Sequence, residues 1–367
     1  MKKLVICCDG TWQRVYRGEL TNVALTARSI ATRDANNIAQ IVYYSAGVGA
    51  DLGSSNLWNG MTGADLDQHL LDAYLFLNLN YEPGDQIFLF GFSRGAYTVR
   101  TLAGLLRKCG VLRRDSVDKA DDALELYRDR KLAKDSAIVE RFRAAHAIAW
   151  PRLSAPLIKP PHDLRIAYLG VWDTVGSLGI PSVLPIPINL NRRYQFHDTE
   201  LSRSVEAARH AVAIDERRGA FKPALWSNVD KFNWPGRPAR VLQAWFPGDH
   251  GGVGGGPARG LSNCSLMWVI EGAEQAGLAF SREPGSVLSA CLAEIDPIGA
   301  PVKSGKGFSI LDLTGARWRK GLATFADVHE TARLRWIANK RYRPALLKPF
   351  ADEIAASVTN GRQLLAA

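Results

Sequence analysis

Ile87-Phe88-Leu89-Phe90 is a continuous apolar run that ends in Gly91-Phe92-Ser93-Arg94-Gly95 and passes directly into a segment whose Ala96, Val99, Ala103 and Leu106 fall on one helical face. A run apolar on both faces predicts a strand covered on both sides, and the short glycine turn into a helix predicts a parallel strand-helix unit. The same rhythm recurs along the chain. Leu4 to Cys8 is closed by Asp9-Gly10-Thr11, and Ile41 to Tyr44 by Ala46-Gly47-Val48-Gly49. Leu66, Leu70, Tyr74 and Leu77 predict a helix between 63 and 80, after which Pro83-Gly84-Asp85 turns the chain back. Leu164 to Trp172 and Arg240 to Phe246 read as further central strands. This alternation predicts the α/β class, with a mainly parallel sheet flanked by helices on both faces. Residues 113–161 are charged and helical in character, without a strand-like run, and predict a helical cap insertion together with part of 179–201. The chain beyond 268 looks mainly helical. No repeat or low-complexity linker divides it, so residues 1–367 are expected to form one domain.

The formal net charge is +10, yet the basic residues are spread along the chain with no long basic tract. That excludes a nucleic-acid-binding arm and leaves a basic surface, read either as a solvated face or as one that favours anionic partners such as phospholipid head groups. The five cysteines (Cys7, Cys8, Cys109, Cys264, Cys291) are odd in number and show no C-x-x-C spacing, so neither a disulfide framework nor a metal site is expected, and no cofactor motif stands out. Met1-Lys2-Lys3 leads into an apolar stretch too short for a secretory leader, and no segment is long enough to span a bilayer. The expectation is a cytoplasmic protein, whose export would need a specialised secretion system.

The Gly91-Phe92-Ser93-Arg94-Gly95 turn has the context of a nucleophile elbow, in which a serine sits on strained backbone and small residues two positions away make room. The following helix would aim its first N–H groups at the site, making the Arg94 N–H an oxyanion donor. A serine needs a base, and the base an orienting acid. His250, in the glycine-rich loop 246–256, is the first choice of base, with His329 as competitor; His69, His146, His162, His197 and His210 read as surface or structural. Asp173, at the end of the 165–172 strand, is the first choice of acid, and Asp215 in Ile214-Asp215-Glu216-Arg217-Arg218 is the alternative. The Thr11 N–H, after the first strand, is the candidate second oxyanion donor, set against an ordinary strand-ending turn.

Five separated motifs occur in order: Cys8-Asp9-Gly10-Thr11, Gly91-Phe92-Ser93-Arg94-Gly95-Ala96-Tyr97, Val171-Trp172-Asp173-Thr174-Val175-Gly176-Ser177, the run Ile214 to Phe221, and Trp245-Phe246-Pro247-Gly248 followed by His250 and Val253-Gly254-Gly255-Gly256. Together they resemble an α/β-hydrolase family, once filed as a domain of unknown function, that includes the catalytic domain of type VI secretion phospholipase effectors. The resemblance runs from Cys8 to about Leu278. It implies the α/β-hydrolase fold, a triad of Ser93, Asp173 and His250, and hydrolysis of carboxylic esters through an acyl-enzyme, with lipid esters as substrates and peripheral membrane contact. Val183, Leu184, Ile186, Ile188 and Leu190 form either an apolar lip for such contact or part of the packing beneath a cap. The rival expectations are a small-ester esterase with no lipid role and a catalytically silent binding protein that keeps the scaffold. No nucleic-acid partner is expected, and nothing in the sequence indicates the oligomeric state.

Overall fold

A computed structural model describes residues 1–10, 19–47, 63–129, 131–150, 164–175, 200–299 and 318–359. The apolar runs become strands β1 (Lys3–Cys8), β2 (Gln40–Ser45), β3 (Gln86–Phe92), β6 (Ile166–Trp172) and β8 (Val241–Phe246), joined by β7 (Val205–Ala213). All six are parallel and lie in the order β2-β1-β3-β6-β7-β8. Successive connections move outward in one direction to β2 and in the other from β3 onward. The order therefore reverses between β1 and β3, and in open α/β sheets the crevice at such a switch point receives the ligand.

Alternation along each strand divides the core into two layers. Leu4, Ile6, Ile87, Leu89, Leu169 and Val171 pack on the side of α2 (Gly63–Asn80) and α3 (Arg94–Cys109). Val5, Cys7, Phe88, Phe90, Tyr168 and Trp172 pack on the opposite side, against α1 (Asn22–Ser29) and the long helix Arg259–Gln275. A third cluster of Val212, Ile214 and Trp245 with Val328, Ala332, Trp336 and Ile354 docks the helices Glu330–Ala338 and Ala351–Thr359 at the β7–β8 edge. All five cysteines are free and buried. No helix of the described residues is long and apolar enough to cross a membrane.

β7 has no apolar run to announce it, since Glu206, Arg209 and His210 interrupt its alanines, a composition of weak strand propensity. Placement between β6 and β8 overrides that propensity, and each polar side chain finds a partner. Arg209 bonds the Trp268 carbonyl and Gln275, while His210 bonds Gln243. The expected cap also needs correction where it is described. Within 113–161 the helices α4 (Ala120–Arg128) and α5 (Ala137–His146) form, but their apolar residues Ala123, Leu124 and Phe142 join the α2–α3 layer. Lys108, at the far end of α3 from Ser93, bonds the carbonyls of Asp129 and Leu132, and the two-residue β4 (Val111–Leu112) pairs with β5 (Ala147–Ala149) just beyond. Apolar faces seek the nearest uncovered core, and here that core is the outer side of α2 and α3 rather than the carboxyl ends of the strands. The rest of the expected cap, 151–163 and 179–199, with the apolar lip at 183–190, lies outside the described residues.

Backbone meets backbone closely where α3 crosses the end of β1. A Cβ on Gly95 would stand 2.0 Å from the Cys8 carbonyl oxygen and 2.6 Å from that of Asp9. Because those atoms are backbone at the end of β1, an interior strand, they cannot give way. Gly95→Ala is expected to destabilise the protein by more than about 3 kcal/mol, above ordinary overpacking. Gly84→Ala, at a positive φ of 95° but with no atom within 4 Å, is expected to cost about 1 kcal/mol. Urea titration of both variants checks the contrast, and equal losses would contradict it.

Candidate active site

Ser93 stands between the end of β3 and the start of α3 with φ 56° and ψ −117°, a conformation that few non-glycine residues adopt. Three constraints hold it there. Its N–H donates to the Trp172 carbonyl at 3.1 Å, Gly91 has no room for a side chain against the backbone of Gly95 and Ala96, and Gly95 is pressed onto β1. The fold thus over-determines a strained residue, as a nucleophile elbow requires.

Three elements converge on this serine. The Ser93 Oγ lies 2.8 Å from His250 Nε2, and His250 Nδ1 lies 2.5 Å from Asp173 Oδ2. His250 opens a one-turn helix (His250–Gly254) after β8, and Asp173 follows the last residue of β6 with φ 40°. The Asp173 carboxylate fixes the imidazole with Nδ1 protonated, which leaves Nε2 as acceptor for the serine hydroxyl. Phe92 and Phe221 flank the ring, with centroids 4.6 Å and 4.7 Å from it. Ser93, His250 and Asp173 are all buried.

Asp173 is fully enclosed and receives more than the imidazole. Its Oδ1 accepts from the Ala213 N–H at 2.9 Å, and the Arg319 guanidinium bonds both oxygens through Nη1 at 2.5 Å and Nη2 at 2.8 Å. Burial alone would raise the carboxyl pKa, but the Arg319 charge and the bonds from His250 and Arg319 override it and hold the group well below the usual carboxylate range. Behind it, the Thr174 N–H donates to His210 Nε2 at 3.3 Å, while His210 Nδ1 bonds Gln243. Burial, aided by the nearby Arg100 charge, lowers the His210 pKa to about 3, so this ring is a neutral prop for the Asp173 loop.

Asp215, the alternative acid, does not reach His250 in this arrangement. Its Oδ2 accepts from the Gly248 N–H at 2.8 Å and the Tyr342 hydroxyl at 3.1 Å, while its own N–H donates to the Gly248 carbonyl. Next to it, buried Glu216 accepts the His250 N–H at 3.2 Å and is clamped by Arg218. The Ile214-Asp215-Glu216-Arg217-Arg218 motif therefore anchors the histidine loop. Asp249, whose side chain accepts the Gly252 N–H, caps the short helix. His329, the competing base, lies stacked on Phe246 with its Nδ1 facing Thr331, and burial lowers its pKa to about 3.

Arg94 opens α3 directly after the serine, where the first N–H groups of a helix point outward. Thr11 lies outside the described residues, but a Cβ on its neighbour Gly10 would stand 3.5 Å from the Ser93 Cβ, so the β1 turn runs beside the nucleophile. Asp9 ties that turn down by accepting from the Gly10 N–H, Thr21 Oγ1 and the Tyr44 hydroxyl. Burial raises its pKa to about 6 against those bonds. Among the described residues no group of three His, Cys, Asp or Glu could hold a metal ion.

The sequence reading gave no site role to Glu216 or Arg319, while His210, read as surface or structural, is a buried structural support. Glu216 lies inside the Ile214 to Phe221 motif, but nothing in the run separates an anchor for the histidine loop from the neighbouring Asp215. Arg319 comes from the distant segment Ala316-Arg317-Trp318-Arg319-Lys320, and nothing in that segment points to the end of β6.

A parallel sheet with a serine elbow at its switch point, and with an acid and a histidine delivered by later strands, defines the α/β-hydrolase class. Within that class, residues 2–272 match the family described as T6SS, Phospholipase effector Tle1-like, catalytic domain, and the chain belongs to it. A curated relative, Uncharacterized protein YEL023C of Saccharomyces cerevisiae, is 30% identical over 242 residues, which is 60% of this chain and 32% of that protein. The chain thus spans about a third of the length of that relative. Two solved structures are similar at lower levels. One, an uncharacterized protein from Pseudomonas aeruginosa, has 17% identity and a TM-score of 0.44, covering 80% of this chain and 49% of that one. The other, the Tle1 effector bound to the VgrG spike from the Type 6 secretion system, has 18% identity and a TM-score of 0.36, covering 69% and 51%.

The buried Asp215 carboxyl, raised by desolvation to about 6 from its ordinary 3.8, makes a prediction about pH. A folded pKa above the unfolded one gives stability that is fully present below about pH 4 and is lost as pH rises to about 6. Asp215→Asn keeps an oxygen for Gly248 and Tyr342 but does not ionise. Its stability relative to wild type should therefore rise across that window by on the order of 2–3 kcal/mol. Denaturant titrations at pH 4, 5, 6 and 7 measure the difference, and a flat curve would contradict the assignment.

Proposed function

We propose that the chain is a serine hydrolase of carboxylic esters that works through an acyl-enzyme, with phospholipid esters as its substrate class. The observation that carries this reading is the continuous chain of hydrogen bonds from Ser93 Oγ through the His250 ring to the buried Asp173 carboxylate. Ser93 Oγ attacks the ester carbonyl while His250 Nε2 takes its proton, and Asp173 stabilises the imidazolium that forms. The Arg94 N–H, with the Thr11 N–H as second donor, stabilises the oxyanion as the carbonyl oxygen gains charge. His250 returns the proton to the leaving alcohol, which departs and leaves an ester on Ser93 Oγ. Water, deprotonated by the same imidazole, then releases the acid and restores the hydroxyl. Phe92 and Phe221 exclude water from the imidazole faces and favour this proton path over solvent exchange. Lipid as substrate rests on family membership and fits the net charge of +10, which draws the protein to anionic surfaces.

Ser93→Ala is expected to abolish turnover of p-nitrophenyl butyrate and of phospholipid in mixed micelles while the fold persists by circular dichroism. Asp173→Asn should lower kcat by about 10⁴, against a change of a few-fold for Asp215→Asn. Full turnover by Ser93→Ala would remove the serine from the reaction. Hydrolysis of the short ester with none of the phospholipid would leave the acyl-enzyme chemistry standing and replace the substrate class with small esters.

A further inference from the structure

The carboxylate that orients His250 is not reserved for it. Arg319 takes both oxygens of Asp173 in a bidentate pair, and its guanidinium also bonds the carbonyl oxygens of Ala213 at 3.0 Å and Phe221 at 2.6 Å. Its side chain is almost wholly buried, and it lies beyond the segment, 2–272, that matches the family. A guanidinium in this position does two things at once. It ties the end of β6, the end of β7 and the Gly219–Phe221 turn to one point, and that turn carries the Phe221 ring onto His250. It also neutralises the negative charge that would otherwise face the imidazole alone.

We propose that Arg319 is a positioning residue of the active site, which aligns Asp173 and Phe221 around His250 and sets the pH at which the imidazole becomes a base. This rests on the serine-hydrolase reading for its catalytic meaning, but not for its electrostatics. With Arg319 present, Asp173 and the guanidinium form a neutral buried pair, so protonating His250 creates a net positive charge inside the protein. Without it, protonation would neutralise a lone buried carboxylate and would be favoured. Among the described residues, the other charges near the ring are matched or lie to the side. Glu216, which accepts the His250 N–H, is clamped by Arg218. Asp249 caps the short helix that the histidine opens. On the far side of Asp173, His210 faces Gln243 and the Thr174 N–H, with Arg100 as the next charge beyond it. Among the described residues, the Ser93 hydroxyl is the remaining polar partner of the ring. Asp173 and Arg319 are therefore the ionisable pair whose balance the imidazole senses most directly.

The test is the titration of the His250 ring by NMR, with pH profiles of kcat/KM for p-nitrophenyl butyrate, in wild type, Arg319→Gln and Arg319→Lys. Arg319→Gln removes the charge and should raise the His250 midpoint by about one pH unit, moving the acid limb of kcat/KM up with it. Arg319→Lys keeps the charge but not the fork, so the midpoint should stay near wild type while kcat falls between about ten- and a hundredfold through misalignment. A folded Arg319→Gln protein whose midpoint is unmoved or lowered overturns the proposal. Should that variant fail to fold, Arg319→Lys decides alone: wild-type kcat and KM in it would show that the bidentate clamp is dispensable. The ring titration needs no turnover. A wild type inactive on every ester would defeat the proposed function while still reporting whether Arg319 governs His250.

Discussion

A carboxylate with no exposure at the end of β6 is the constraint around which the site is arranged. An ionised group taken out of water is destabilising by several kcal/mol unless its lone pairs are met, so the fold must bring donors to Asp173. They come from three directions: the Ala213 N–H at the end of β7, the His250 ring from the loop after β8, and the Arg319 guanidinium from the C-terminal segment. Each donor is fixed by something further out. Asp215 and Glu216 hold the histidine loop through the N–H groups of Gly248 and His250, and Tyr342 reaches in from the C-terminal region to bond Asp215. The chain after β8 thereby becomes part of the site rather than an appendage to the sheet.

The backbone carries a matching constraint. Ser93 and Asp173 both have positive φ, and they are joined through β6, since the Ser93 N–H donates to the carbonyl of Trp172, the residue before Asp173. Two strained residues at adjacent strand ends persist only where their surroundings leave no relaxed alternative. Here the Asp173 N–H is bound to Ala211, the Thr174 N–H to His210, and the helix after Ser93 is pinned on β1 by the absence of a side chain at Gly95. Strain of this kind presents the serine hydroxyl and the carboxylate to the same imidazole without any motion of the main chain.

Much of this was legible in the sequence, for reasons that are local. β1, β3 and β6 are buried on both faces, so their apolar runs announce them, and α2 and α3 show their helical period. Ser93, His250 and Asp173 stand out because each follows such a run. What stayed hidden depends on contacts between distant segments. β7 stays hidden because its Glu206, Arg209 and His210 are satisfied by Arg165 just before β6, by Gln275 on the helix Arg259–Gln275 and by Gln243 on β8, which no local pattern reveals. The helices α4 and α5 were recognisable as helices, but their side of the sheet was decided by an uncovered core on α2 and α3. Arg319 lies 146 residues from Asp173, and Asp215 could be separated from Asp173 only by seeing which carboxylate meets the ring.

The central claim is that Ser93 is a nucleophile activated by His250. Treating the native protein with a fluorophosphonate and mapping the adduct by mass spectrometry measures that reactivity directly, independent of any choice of ester. The expected result is a single adduct on the peptide that carries Ser93, formed far more slowly when His250 is replaced by alanine. An unmodified Ser93 in the folded wild-type protein, or equal labelling with and without His250, would contradict it.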